Sequence, residues 1–247
     1  LLNFQLIDPI NFKDFGTFMP GRFALYASAV QLADIFGVQL PEKVVPRYNI
    51  SPSQQIAVIR NLGGENHLDF MKWGLVPSWA DDMAIGYKLI NARSETVFEK
   101  NSFKRAIRTR RCLVPISGFY EWQSSGSVKT PFYISMADNK PLALAGIWEQ
   151  WKSPDGATIE TCAILTTTPN RLIETIHDRM PVILHPQEYS VWLDREVSEP
   201  ATLKQLFKPY PAEVMMAFQV SSLVNSVRND GEECIIKVDS QDDIGLF

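Results

Sequence analysis

Arg111-Cys112-Leu113-Val114-Pro115-Ile116-Ser117-Gly118-Phe119-Tyr120-Glu121-Trp122 is the stretch that decides what kind of fold this chain adopts. Its β-branched and aromatic residues suit a pleated, half-buried surface, so Cys112 to Glu121 reads as strand. Phe132 to Met136, Leu142 to Trp148 and Glu160 to Thr167 repeat that composition. Between them lie turn clusters, Ser124-Ser125-Gly126-Ser127 and Ser153-Pro154-Asp155-Gly156, the second closing a hairpin. Upstream, Ile56 to Arg60, then Asn61-Leu62-Gly63-Gly64, then His67 to Trp73 reads as another hairpin. Downstream, Val214 to Val220 returns as a strand. Helical stretches are short. Ser28 to Phe36 has Ser28 as its N-cap and Gly37 as its stop, with Val30, Ala33 and Phe36 inward. Ser102 to Arg108, Pro169 to Ile176, Gln187 to Asp194 and Ala201 to Phe207 are further helix candidates. No internal repeat or shift of composition marks a linker. The expected architecture is one α+β domain, mostly antiparallel β with peripheral helices.

The bulk numbers narrow the function classes. The chain has 247 residues, 45% apolar and 21% charged, an ordinary globular composition. No run approaches eighteen apolar residues, so no membrane partner is expected. Leu1 to Phe18 lacks a basic n-region and a long apolar core, which argues against a secretory signal. Its Phe residues are too many for a disordered tail, and some are expected to pack on the domain. Three cysteines, Cys112, Cys162 and Cys234, do not make a disulfide framework, and a reducing cytoplasm fits them. The net charge of −4 restricts any nucleic-acid groove to a local positive patch. No His, Cys and carboxylate cluster has metal-ligand spacing. No glycine loop of the P-loop or dinucleotide type is present. Neither a metal nor a cofactor is expected.

Some residues carry chemistry on their own account. Glu121, between Tyr120 and Trp122 at a strand end, is either a desolvated acid/base group or a carboxylate facing water. His177 precedes Asp178-Arg179 at a helix end, where an imidazole is often just a partner for the helix dipole. His67 and His185 have no motif around them and read as structural or exposed. Lys104-Arg105-Ala106-Ile107-Arg108-Thr109-Arg110-Arg111 reads mostly as a solvated helix face.

A set of ordered motifs goes further. They are Met19-Pro20-Gly21-Arg22-Phe23, Arg47-Tyr48-Asn49-Ile50, Trp73-Gly74-Leu75-Val76-Pro77-Ser78-Trp79 and Asn91-Ala92-Arg93-Ser94-Glu95-Thr96. They continue as Arg111-Cys112-Leu113-Val114-Pro115, Gly118-Phe119-Tyr120-Glu121-Trp122, Ala145-Gly146-Ile147-Trp148-Glu149 and His177-Asp178-Arg179-Met180-Pro181. In this order the chain resembles the SRAP family, SOS response-associated peptidases that process abasic sites in DNA. The resemblance implies a β-rich, partly barrel-like domain over residues 19–240, with an extension at 1–18 and a tail at 241–247. It implies single-stranded DNA with abasic sites as partner, a monomer, and a cytoplasmic, nucleoid-associated location. Glu121 and His177 match the family's catalytic acid/base pair, and Asn91 an active-site Asn. Arg22, Arg93 and Arg179 match DNA-backbone contacts, Trp79 an aromatic at the DNA face, and Asn49 a pocket position in the same binding set.

Pro20 departs from the family pattern. There the family has an N-terminal Cys, whose amine forms a Schiff base with the abasic aldehyde and whose thiol closes a thiazolidine. Inside the chain, Pro20 nitrogen is an amide with a delocalised lone pair. With residues 1–19 removed it would be a secondary amine, able to form an iminium but no thiazolidine. Three functions stay open. One is an abasic-site processing enzyme whose covalent step is altered or lost. The others are a non-catalytic single-stranded DNA binder and an autoproteolytic peptidase that removes its own N-terminus.

Overall fold

Ser117 breaks the deciding stretch into two strands that enter different sheets. The computed structural model describes residues 20–40 and 44–238. The phenylalanines of 1–18 and the tail at 241–247 lie outside the described residues. In chain order the strands are β1 (Arg22–Leu25), β2 (Arg47–Ile50), β3 (Gln55–Leu62), β4 (Glu65–Trp73), β5 (Asn91–Arg93), β6 (Arg111–Ile116) and β7 (Gly118–Ser125). Then come β8 (Val128–Met136), β9 (Leu142–Lys152), β10 (Thr158–Thr167), β11 (Met180–Pro181), β12 (Ile183–Leu184) and β13 (Met215–Gln219). Four short helices decorate them: α1 (Ala29–Phe36), α2 (Ala106–Thr109), α3 (Tyr189–Leu193) and α4 (Pro200–Lys204).

At the break, Ser117 Oγ accepts the backbone N–H groups of Tyr26 and Ala27, and Ser117 N–H donates to Ala24. Gly118 starts β7 hard against Tyr133: a Cβ there would stand 2.4 Å from the phenol oxygen. The next strand therefore crosses at a spacing that a larger residue would not permit. β7 joins a five-stranded antiparallel sheet in the order β13-β8-β7-β1-β2. β6 joins the larger sheet, where β10-β4-β3-β6-β9 closes on itself through the β9–β10 pairing. That closure leaves few open edges. β10 pairs in parallel with β4 and β5, and most other pairings are antiparallel. The expected α+β, mostly antiparallel and partly barrel-like fold is what the chain adopts.

Both hairpins form. β3 and β4 meet through a two-residue Gly63-Gly64 turn in which both φ angles are positive, 64° and 97°. This is the backbone that a tight hairpin needs and glycine supplies. β9 and β10 join across Pro154 to Gly156. α1 carries the expected caps, with Ser28 and Gln31 in a capping box and Gly37 left-handed. Its inward face differs from expectation. Leu32 and Phe36 are buried while Val30 is 58% exposed, because the stripe runs 29-32-33-36 rather than 30-33-36. Residues 96–105 form a train of turns, with Lys100 N–H on Thr96 and Ile107 N–H on Phe103, so the helix there is one turn long. Pro169 to Ile176 is no helix either. Asn170 Oδ1 takes the N–H groups of Leu172 and Ile173, and the Thr175 carbonyl is held by Gln123 Nε2 at 2.7 Å. Only a 3₁₀ turn, Ile173–Thr175, remains. No described helix is long and apolar enough to cross a membrane.

Candidate functional site

The two faces of β7 divide the candidate residues. β1 pairs with β7 so that Arg22 stands opposite Tyr120 and Phe23 opposite Phe119. Side chains alternate along a strand, so Arg22, Tyr120 and Trp122 share the outer face, while Phe119 and Glu121 share the inner one. Phe119 belongs to the main core and Tyr120 to a small second core with Ala24, Tyr133, Val220, Val224 and Cys234.

On the inner face Glu121 is 3% exposed, and its Oε1 is buried without a partner. Burial drives its carboxyl well above the usual carboxylate range, and the nearby charge of Asp178 pushes the same way. The Trp122 backbone amide offsets this only in part. A carboxyl shifted this way keeps its proton to higher pH than a solvated one, which suits it to proton donation. The segment bearing His177 lies against the same strand, held by the bond from Gln123 to the Thr175 carbonyl. Burial lowers the His177 pKa below its ordinary value, against the pull of Asp178. Its Nδ1 lies 2.8 Å from Asp178 Oδ1 and 3.2 Å from the Arg179 backbone N–H. The first contact needs a proton on Nδ1 and the second a lone pair. Only the second has hydrogen-bond geometry, so in the neutral ring Nδ1 carries the lone pair and Nε2 the proton.

Asn91, on β5, donates from Nδ2 to the Pro20 carbonyl at 3.0 Å, and its Oδ1 is buried without a partner. Pro20 is buried just ahead of β1. β5 runs beside β10, with Arg93 in register with Thr166. Arg93 is exposed. Arg179 reaches the same place: it donates to both Glu95 oxygens, at 2.5 and 3.0 Å, and to the Thr166 carbonyl at 2.8 Å. Its Nε is buried and unpartnered. Asn91 and Arg93 thus come from β5, Glu121 from β7, His177 and Arg179 from the loop before β11, and Pro20 from the segment ahead of β1. Trp79 stands on the loop after β4, 58% exposed.

Arg22 and Asn49 do something else. Arg22 donates to Asn49 Oδ1 at 2.7 Å and to the Val224 carbonyl at 2.9 Å, and lies over the Trp122 ring. Burial lowers its pKa to about 10, which leaves it charged at neutral pH. Asn49 Nδ2 donates to the carbonyls of Val224, Ser226 and Asn229. Together they fasten the C-terminal segment 221–230 across β1 and β2. Asp230 completes the fastening by accepting the N–H groups of Tyr48 and Asn49.

The basic run is only partly a solvated face. Arg111 is buried, with carbonyl partners on Ile107, Arg108, Trp192 and Asp194. Arg110 pairs with buried Glu149 beside Trp148. All three cysteines are buried and outside any disulfide, and burial pushes each thiol pKa up. His185 stacks on Tyr210. The sequence reading left out Glu95, Thr166, Asp178 and Gln123. Glu95 and Asp178 lie inside motifs already quoted, whereas Thr166 and Gln123 carry no sequence signal.

The family described as SOS response associated peptidase (SRAP) matches residues 19–227. The abasic site processing protein YoqW of Bacillus subtilis is 44% identical over 221 residues, covering 88% of this chain and 99% of YoqW. The abasic site processing protein HMCES of Xenopus tropicalis is 34% identical, covering 80% of this chain and 68% of HMCES. A crystal structure of a Bacteroides thetaiotaomicron protein superposes with a TM-score of 0.79 at 28% identity, covering 88% of this chain and 99% of that one.

Proposed function

This chain belongs to the SRAP family, and from that premise we propose that it processes abasic sites in single-stranded DNA through an acid/base pocket that lacks the family's thiol. The observation that carries the reading is Glu121. A buried carboxyl with a free oxygen weakens the fold and adds nothing to phosphate binding, which needs only arginines and aromatics. When protonated, Glu121 can instead hydrogen-bond the oxygen of the open-chain aldehyde, with His177 as its acid/base partner. Asn91 holds the Pro20 carbonyl. Arg93 supplies a charge for a flanking phosphate, and Trp79 a stacking face for a base.

Pro20 sets the limit. Acylated by Met19, its nitrogen cannot attack an aldehyde, and no thiol accompanies it. The chain as it stands therefore captures abasic DNA without a thiazolidine crosslink. The test is incubation with a single strand bearing one abasic site, read on native and denaturing gels with and without borohydride, alongside intact protein mass. We expect retarded DNA on the native gel and no crosslink on the denaturing gel. Pro20→Cys in a chain starting at Met19, with that Met then removed to free the cysteine amine, should form the crosslink. DNA that is not retarded refutes the reading. A borohydride-trapped adduct on a chain whose mass begins at Pro20 refutes the absence of covalent chemistry and assigns it to the proline amine.

A further inference from the structure

Arg179 is the arginine of the site whose donors are most fully engaged within the protein. Nη1 and Nη2 face the two oxygens of Glu95 side by side, at 2.5 and 3.0 Å. Nη2 also donates to the Thr166 carbonyl at 2.8 Å and to Thr166 Oγ1 at 3.2 Å. Nε is buried and has no partner. A guanidinium offers two paired donor edges to a bidentate anion. The end-on edge is filled by Glu95. The side-on edge is blocked, since Nε is shut off from solvent and Nη2 is shared with Thr166. Carboxylate and phosphate present the same pair of oxygens to this fork, so a phosphate can reach Arg179 bidentately only where Glu95 now sits.

The two partners differ in how they are fixed. The Arg179 side chain is mostly buried and tied to β10 through Thr166, whereas half of the Glu95 side chain faces solvent. Glu95 can swing out into water, and Arg179 cannot. Burial works against the charge on Glu95, but the hydrogen bonds and charge of Arg179 outweigh it and hold the carboxyl below its usual range. It is therefore ionised wherever DNA would bind.

We propose that Glu95 is a resident carboxylate in the phosphate fork of Arg179, which a DNA phosphate must displace, so that Glu95 sets how strongly this chain holds its strand. The proposal rests on the DNA-processing reading above. It departs from a view of Arg179 as an open contact: its charge is spent in the free protein and released on binding. Such a stand-in also discriminates. Stray anions that bind one donor at a time do not repay the loss of a bidentate partner, while a strand already held by Arg93 and Trp79 presents its phosphate at high local concentration.

The experiment compares wild type, Glu95→Gln and Glu95→Ala for binding to a fluorescent single strand bearing a tetrahydrofuran abasic analogue, across a salt series. Glu95→Gln keeps the shape and one acceptor but drops the charge. It should bind about fivefold tighter at low salt, as expected for release from one partly exposed ion pair. Its salt slope should be steeper by about 0.7, one further phosphate neutralised on a single strand. Glu95→Ala should tighten at least as much. Arg179→Met placed on Glu95→Gln should cancel the gain. Equal or weaker binding by both Glu95 variants, with unchanged melting temperature, would overturn the proposal and make Glu95 a prop for Arg179. Wild type that fails to bind the strand at any salt overturns the functional reading instead, and this proposal with it.

Discussion

Arg111 and Glu121 lie ten residues apart on consecutive strands, and both are charged types sealed in the fold, at 5% and 3% exposure. Arg111 is surrounded by four carbonyls from the α2 turn and the end of α3, and Trp192 lies under its guanidinium. Burial lowers its pKa only to about 10, so it stays charged and joined to its partners. Glu121 has a buried oxygen with nothing to bond, and burial raises its pKa well above the usual carboxylate range. One is a buried charge answered by the backbone and serves the fold. The other is left open, at some expense to the fold, as the acid/base role proposed for it requires.

The comparison can be broken at several points. The largest effect belongs to Arg111→Met, which leaves four carbonyls without donors. It should lower stability by about 3 kcal/mol or more, or roughly 10 °C in melting temperature. A variant that melts like wild type would show that the carbonyls find other partners. Asn49→Ala removes three donated bonds and the Arg22 acceptor. A loss of about 2 kcal/mol is expected, along with faster proteolysis at 221–238. Trp79→Ala should leave melting within about 0.5 kcal/mol of wild type. It should weaken single-stranded DNA binding by about 1–3 kcal/mol, the worth of one stacked base. Unaltered affinity would remove Trp79 from the interface.

Glu121→Gln runs in the opposite direction from Arg111→Met. It should stabilise by about 1 kcal/mol while reducing processing of the abasic strand, as expected when a group is kept for function. The pH dependence follows from the signs. Glu121 has a folded-state pKa above its unfolded value, so its contribution is full below about pH 4.3 and is lost as pH rises toward the folded value. His177 has a depressed folded-state pKa, so its contribution is present above about pH 6.5 and is lost as pH falls from there through the lower folded-state value. Glu121→Gln should flatten the alkaline fall in melting temperature, the smallest of these effects. A fall as steep as in wild type would place the titration on another group.

Much of this comparison was legible along the chain, though unevenly. The hairpins at Gly63-Gly64 and Pro154 to Gly156 were readable because turn chemistry is local. The caps of α1 were readable because Ser28, Gln31 and Gly37 act within one turn. Val30 was misplaced because a helical stripe can be drawn two ways over eight residues, and only packing chooses between them. Pro169 to Ile176 failed as a helix because Gln123 and Tyr210, far away in sequence, take up its polar groups. Arg22 and Asn49 resemble a DNA-binding pair in sequence, and only the fold shows that they tie down residues 221–230.

The sequence by itself determined the strand-rich class, the turns, and the family with its ordered motifs, since these rest on local chemistry and residue identity. It also determined that position 20 is a proline and carries no thiol, because residue identity is a covalent fact. Only the tertiary structure decided that Ser117 splits one apolar run between two sheets, that Arg111 is answered and Glu121 is not, and that Glu95 fills the fork of Arg179. Each of these depends on what stands opposite a side chain from distant parts of the chain. Desolvation and hydrogen-bond partnership are properties of that surrounding, and no stretch of sequence carries them alone.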